Sequence, residues 1–81
     1  MEKRIGAALI LIEKKDSVHK LNNILSSHAS IILGRQGLPY REKNLNVISL
    51  VLEGTTDEIG SLTGQIGKLD GITVRSILTK L

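Results

Sequence analysis

Three groups of residues in this 81-residue chain carry side chains able to bind something. The densest is Arg35-Gln36-Gly37-Leu38-Pro39-Tyr40-Arg41, which combines two guanidiniums, the sole aromatic residue and two turn formers. A guanidinium is a planar fork of N–H donors that matches carboxylate and phosphate, so Arg35, Gly37, Tyr40 and Arg41 are candidate ligand-binding residues at the mouth between subunits. The same run also reads as a strand bend whose charges meet water or pair across a dimer. The second group is centred on His28. Imidazole is a frequent metal ligand, yet the strand after it offers Ser30, Gln36 and Tyr40 instead of another His or a Cys. The plainer reading of His28 is a half-buried ring at the C-terminal end of a helix, where the helix dipole favours it. His19 reads as surface. The third group is Gly60, Gly64 and Gly67, spaced i, i+4 and i+7 in a helical segment, each costing the helix about 1 kcal/mol relative to Ala. Either this stripe lets the other helix pack closely, or it is a flat backbone surface approached by a ligand or another subunit.

Several chemistries are not expected. There is no Cys, which excludes disulfides, thiolate metal sites and Cys nucleophiles and is compatible with the cytoplasm. No nucleophile-base pair, paired carboxylates or phosphate loop occurs, and Gly64-Gln65-Ile66-Gly67 lies inside a helix, where it is no dinucleotide fingerprint. Enzyme activity, a cofactor and a metal are therefore not expected. The net charge of +3 is mild, the basic residues are scattered, and a lone Tyr gives nothing on which to stack bases, so direct nucleic-acid binding is not expected. The opening Met-Glu-Lys-Arg leads into an apolar run broken at Glu13. That run is too short for a membrane span and lacks a signal-cleavage pattern, so it reads as a buried strand and the protein as cytoplasmic.

The elements that must position these groups follow from periodicity. The stretch from Leu50 to Val74 is a strand ending at Glu53-Gly54, a helix opened by Thr55-Thr56-Asp57-Glu58 and stopped at Gly71, and a second strand. The first half repeats it at an offset of 41 positions. Ile10 then falls on Val51, Asp16 on Asp57, Leu21 on Leu62, Leu25 on Ile66, Ile31 on Ile72 and Leu33 on Val74. Two β-α-β units in a chain this short share one core only if their strands interleave, giving an α+β, ferredoxin-like βαββαβ domain over residues 1–81, with both helices on one face of a four-stranded antiparallel sheet. The expected strands are Arg4 to Glu13, Ser30 to Arg35, Leu45 to Glu53 and Ile72 to Thr79. The expected helices run from an Asp16 or Ser17 cap to about Ser27, and from Thr55 to about Asp70. Gly34, Gly37 and Pro39 should bend or interrupt the second strand, making it an edge or ending it near Leu38.

The first and third strands are apolar on both faces, which marks a central pair covered from both sides. Two helices cover only one face. The other face, with Leu9, Leu11, Val47 and Val51, should be buried by a second copy in a homo-oligomer, a dimer or tetramer, and Gly60, Gly64 and Gly67 are candidates for a further interface. A domain of this length has a core worth only about 3–5 kcal/mol, to which assembly commonly adds.

Four segments carry a family resemblance: Gly34 to Glu42 with its R-x-G-x-P pattern, Val47 to Gly54, Ile59 to Gly67 with I-G-x-L-x-G-x-x-G, and Gly71 to Arg75. Together they resemble the family of small proteins labelled iron-only hydrogenase system regulators, whose fold is similar to ACT domains and to the C-terminal domain of the nickel-responsive repressor. The resemblance implies a ferredoxin-like oligomer with a regulatory role, found chiefly in anaerobic bacteria that carry the hydrogenase; a small ligand sensed at the subunit boundary is the reading that Arg35, Tyr40 and Arg41 suggest. Leu38, Tyr40 and Asn46 stand where the nickel repressor has its His and Cys ligands, and Glu13-Lys14-Lys15-Asp16-Ser17 lacks the Gly usual in amino-acid-binding ACT domains. No ribbon-helix-helix module is present, so a transcriptional role implies a DNA-binding partner protein.

Overall fold

Residues 2–80 are described by the structure, a computed structural model. The chain runs β1 (Arg4–Ile12), α1 (Val18–Ser27), β2 (Ile32–Tyr40), β3 (Leu45–Gly54), α2 (Thr56–Gly67) and β4 (Ile72–Thr79). The strands form one antiparallel sheet in the order β2-β3-β1-β4, so the two doubly apolar strands are the central pair. Alternate side chains of a strand point to opposite faces. On one face Ala8, Ile10 and Ile12 of β1 join Ile48, Leu50 and Leu52 of β3, and both helices pack there through Leu21, Leu25, Ile59, Leu62 and Ile66. This is the ferredoxin-like α+β fold.

Helix α2 starts where its sequence says it should. The Glu58 amide donates to Thr55 Oγ1 at 3.1 Å, and the Thr55 amide donates to Glu58 Oε1 at 2.8 Å, a complete capping box. The bond from the Thr55 amide holds the Glu58 carboxyl below its ordinary value of 4.5. A carboxyl depressed in the folded state adds stability above its unfolded pKa and loses that contribution as the pH falls through the folded one. The melting-temperature difference between wild type and Glu58→Ala should therefore be clear at pH 7 and shrink well below pH 4.5. Helix α1 starts differently. Ser17 occupies the cap position, but it is buried and makes no capping bond; the Val18 amide instead donates to the Lys15 carbonyl, closing a 3₁₀ turn over Lys15–Ser17.

The second strand departs from expectation at both ends. Ala29–Ile31 is a 3₁₀ turn, so β2 begins at Ile32, and it then runs on through Gly37 and Pro39 to Tyr40, paired with β3 except for an irregularity at Leu33. The ladder explains how proline is accommodated. The Ile77 carbonyl is turned towards β1, 2.8 Å from where a Cβ on Gly6 would sit, and the Thr79 hydroxyl donates to the Ile5 carbonyl at 2.7 Å. Ile5, Ala7 and Leu9 thus direct their backbone groups at β4, and Ala8, Ile10 and Ile12 direct theirs at β3. Continuing the alternation, Val47 and Ser49 bond to Leu38 and Gln36, and the backbone of Pro39 faces away from the sheet. A missing N–H costs nothing there.

The internal repeat holds in the helices and slips in the strands. Leu21 and Leu62 are both fully buried, as are Leu25 and Ile66 to within 2%. Ile10 is fully buried, whereas its counterpart Val51 is 48% exposed on the opposite face. Leu33 falls in a register shift between Ile32 and Gly34 and is exposed, while Val74 packs against the core. A bulge moves one side chain to the wrong face, so an offset that fits helices need not fit strands.

Candidate functional site

Paired residues in an antiparallel ladder share a face, so the register assigns the surface that the helices leave bare. Ala7 lies beside Val51 on one flank and Ile77 on the other, Leu11 beside Val47, Val47 beside Leu38, and Leu45 beside Tyr40. Leu9, Leu38, Tyr40 and Val51 are roughly half exposed there, Ile77 is 70% exposed, and Leu11 and Val47 are partly covered. Four strands about 4.8 Å apart, each about eight residues of about 3.3 Å, make a face on the order of 500 Å². Gln36, Ser49, Glu53, Thr73 and Arg75 share that face, so the apolar patch is smaller than the whole and of the size that a monomer can carry.

The Arg35 to Arg41 run is divided by the same register. Tyr40 pairs with Leu45 on the bare face, and Arg41 follows in a 3₁₀ turn, Arg41–Lys43, that ends on Asn44 at φ 53°. Arg35 pairs with Leu50 and so lies on the helix side, where it lines a cleft of about 230 Å³ with Leu25, Ser26, Ala29 and Ile32. Gly37 is exposed on the helix side as well, with nothing within 4 Å of an added Cβ. Arg35 and Tyr40 are five steps apart along the strand, about 17 Å. The structure therefore brings Tyr40 and Arg41 together and leaves Arg35 and Gly37 on the other side of the sheet. Within one copy the two guanidiniums do not converge on one small anion.

A further cleft lies between the end of α1 and the start of α2. It holds about 380 Å³ and is lined by Ser27, His28, Ser30, Ile31, Asp57, Glu58 and Ser61. His28 caps α1, and its Nδ1 lies 2.7 Å from the Ile24 carbonyl oxygen. A carbonyl only accepts, so Nδ1 carries the proton and neutral His28 keeps Nε2 as its bare nitrogen. The ring is partly buried at a helix C-terminus, as its sequence position implied. Among the described residues no three His, Asp or Glu side chains gather in an arrangement able to hold a metal. Sequence reasoning did not find this cleft. The capping signature at Thr55 and Glu58 was legible, but nothing local says that it abuts a histidine some thirty residues earlier.

The glycine stripe of α2 does not seat α1. A Cβ added at Gly60 or Gly64 meets nothing within 4 Å, and one at Gly67 makes an ordinary 3.7 Å contact with Val74 Cγ1. Close helix packing is thereby excluded as the reason for Gly60 and Gly64, which instead form an open backbone surface. Gly60→Ala and Gly64→Ala should each raise unfolding stability by about 0.5–1 kcal/mol, because each restores helix propensity without a clash. Urea denaturation measures it.

A profile of the TM1266-like family, described as "Iron-only hydrogenase system regulator, putative", matches residues 4–76. Among solved structures the chain is similar to uncharacterized protein TM1266 from Thermotoga maritima, with 34% identity and a TM-score of 0.91, covering 98% of this chain and 100% of that one. The C-terminal domain of the MgtC protein from Mycobacterium tuberculosis superposes with a TM-score of 0.72 at 11% identity, covering 94% of this chain and 87% of that one. An unknown protein from Galdieria sulphuraria does so at 0.66 and 10% identity, covering 99% of this chain and 47% of that one. The last two likenesses are of fold alone. No protein of curated function matches.

Proposed function

Because the chain belongs to the TM1266-like family of iron-only hydrogenase system regulators, we propose that it is a non-enzymatic regulatory domain that self-associates through its bare sheet face and senses a small ligand at the boundary between copies. One observation carries the reading: the apolar face built from Leu9, Leu11, Val47 and Val51 with Leu38, Tyr40 and Ile77. Two such faces pressed together bury on the order of 1,000 Å², the lower bound for a biological interface. Tyr40 and Arg41 then sit at the rim of the contact, where a guanidinium can take a carboxylate or phosphate that also touches the second copy. Arg35 and Gly37 face the other way and would serve a ligand on the helix side. Action on transcription would run through a DNA-binding partner protein. No helix among the described residues is long and apolar enough to cross a membrane, and we place the domain in the cytoplasm.

Light scattering tests the assembly: a mass of at least two chains is expected at micromolar concentration, and a single-chain mass overturns it. A thermal-shift screen over amino acids, nucleotides and divalent metals tests the sensing. A ligand at a hundred times its Kd adds about 2.7 kcal/mol, and that shift should vanish in Arg41→Ala or in Arg35→Ala, according to the side of the sheet that holds the ligand. The open Gly60 and Gly64 surface favours a second reading, a ligand-free interaction module, which uniform silence in the screen would support. His28 in its cleft with Asp57 and Glu58 is the place to look for a metal sensor. Nickel, zinc or iron that shifts wild type and His28→Ala alike would remove that reading.

A further inference from the structure

Between Asp16 and Glu42 the chain contains no carboxylate side chain, yet this stretch supplies α1, the 3₁₀ turn after it and the whole of β2. Arg35 therefore has no acidic neighbour on its own elements. Its neighbours across the ladder, Ser49, Leu50 and Val51, are not acidic either, and among the described residues it forms no ion pair. The direction of its side chain is set by the bulge. In an unbroken strand Ile32 and Arg35, three positions apart, would point to opposite faces. The register shift between Ile32 and Gly34 takes up one residue, so Ile32 pairs with Leu52, Arg35 pairs with Leu50, and both face the helices. Bulges are commonly used in this way, to re-aim one side chain beside a site.

The side chain so turned lines the cleft of about 230 Å³ whose other walls are Leu25, Ser26, Ala29 and Ile32. Pockets for drug-sized ligands hold about 300–1,000 Å³, so this one suits a smaller molecule. A guanidinium without an acidic partner, set beside apolar walls, matches an anion that carries an apolar body. Leu25 and Ser26 belong to the last turn of α1, the negative end of the helix dipole. That end disfavours a doubly charged phosphate and leaves a single carboxylate as the anion that one guanidinium can hold. We propose that the cleft binds a small aliphatic monocarboxylate, its carboxylate held by Arg35 and its chain laid against Leu25, Ala29 and Ile32. The site rests on the sensing role proposed above and names its ligand class, but it is complete within one copy and lies on the helix side of the sheet.

Pentanoate titrated against isotope-labelled protein and followed by NMR tests the site. Saturable amide shifts are expected at Leu25, Ser26, Ala29, Ile32 and Arg35, and none at Leu9, Val47 or Val51 on the bare face. Arg35 is exposed, so Arg35→Ala should keep the circular dichroism spectrum while weakening pentanoate binding by roughly tenfold or more. Arg35→Lys keeps the charge, loses the fork and should fall between the two. Acetate, which lacks the chain, and 1-pentanol, which lacks the charge, should each bind more weakly than pentanoate by a similar factor. No saturable shift, undiminished binding in Arg35→Ala, or acetate or 1-pentanol binding as tightly as pentanoate overturns the proposal. Val51→Lys, which places a charge on the bare face, should bind pentanoate as wild type does. A ligand response lost in Val51→Lys or Arg41→Ala but kept in Arg35→Ala would leave the sensing role standing and overturn this site, whereas silence towards every ligand would remove both.

Discussion

Val51→Lys is expected to halve the mass of the assembled protein and leave each chain folded. Val51 sits near the middle of the bare face, opposite Ala7 in the central ladder and beside Gly34 on β2. In a single copy it is half exposed, so a lysine there meets water and costs the fold only the lost β-propensity, on the order of 0.5 kcal/mol. In the packed pair the ammonium, and its symmetry mate, would be taken from water into a largely apolar layer whose carboxylate, Glu53, stands two residues along β3. An uncompensated buried charge costs about 3–5 kcal/mol; pairing with Glu53 offsets part of that, so association weakens by up to a factor of about several thousand. Light scattering reads the mass and far-ultraviolet circular dichroism the fold. A variant that keeps both its mass and its melting temperature would mean that this face is not the interface. Asn22→Lys, at an exposed position of α1 on the other side of the sheet, is the control and should leave the mass unchanged.

Leu62→Ala is expected to leave most of the protein unfolded at low concentration. Leu62 lies at the centre of the inward arc of α2 between Ile59 and Ile66, and all three are buried to within 2%. Removing three buried carbons from a packed site costs about 2–5 kcal/mol, the cavity left behind adding to the lost transfer energy. A core in a domain of this size supplies about 3–5 kcal/mol in all, so this one truncation removes most of the margin. Raising the protein concentration should restore part of the signal, because assembly holds the folded state by mass action. Leu38→Ala, at a site 58% exposed in one copy, should shift the urea midpoint of the single chain by little. If Leu62→Ala and Leu38→Ala denature alike, the helix-covered face is not where the stability lies.

How far the sequence reaches depends on whether the signal is local. The Thr55 and Glu58 box, the arc Ile59, Leu62 and Ile66, and the doubly apolar β1 and β3 are written within a few residues of one another. Helix periodicity and strand alternation are properties of short windows, and they carried the element order, the fold class and the identity of the central pair. Pro39 was legible as an edge residue but not as one inside a continuing strand. Where its nitrogen points is set by the phase of a hydrogen-bond ladder that begins three strands away at β4.

The candidate sites divide along the same line. That Arg35 and Tyr40 are chemically able to bind a ligand follows from the residues; that they look out from opposite sides of the sheet follows only from their pairing with Leu50 and Leu45. Gly60 and Gly64 were recognisable as a stripe on a helix, while the space above them depended on where α1 lies. The cleft uniting His28 with Asp57 and Glu58 had no trace in the sequence, because its walls are the end of one helix and the beginning of another. The chain by itself thus determined which segments are helix and strand and which side chains must leave water. Tertiary structure decided which surfaces remain uncovered and which distant groups meet, because ladder phase, a single bulge and helix placement are set by contacts between residues far apart in the chain.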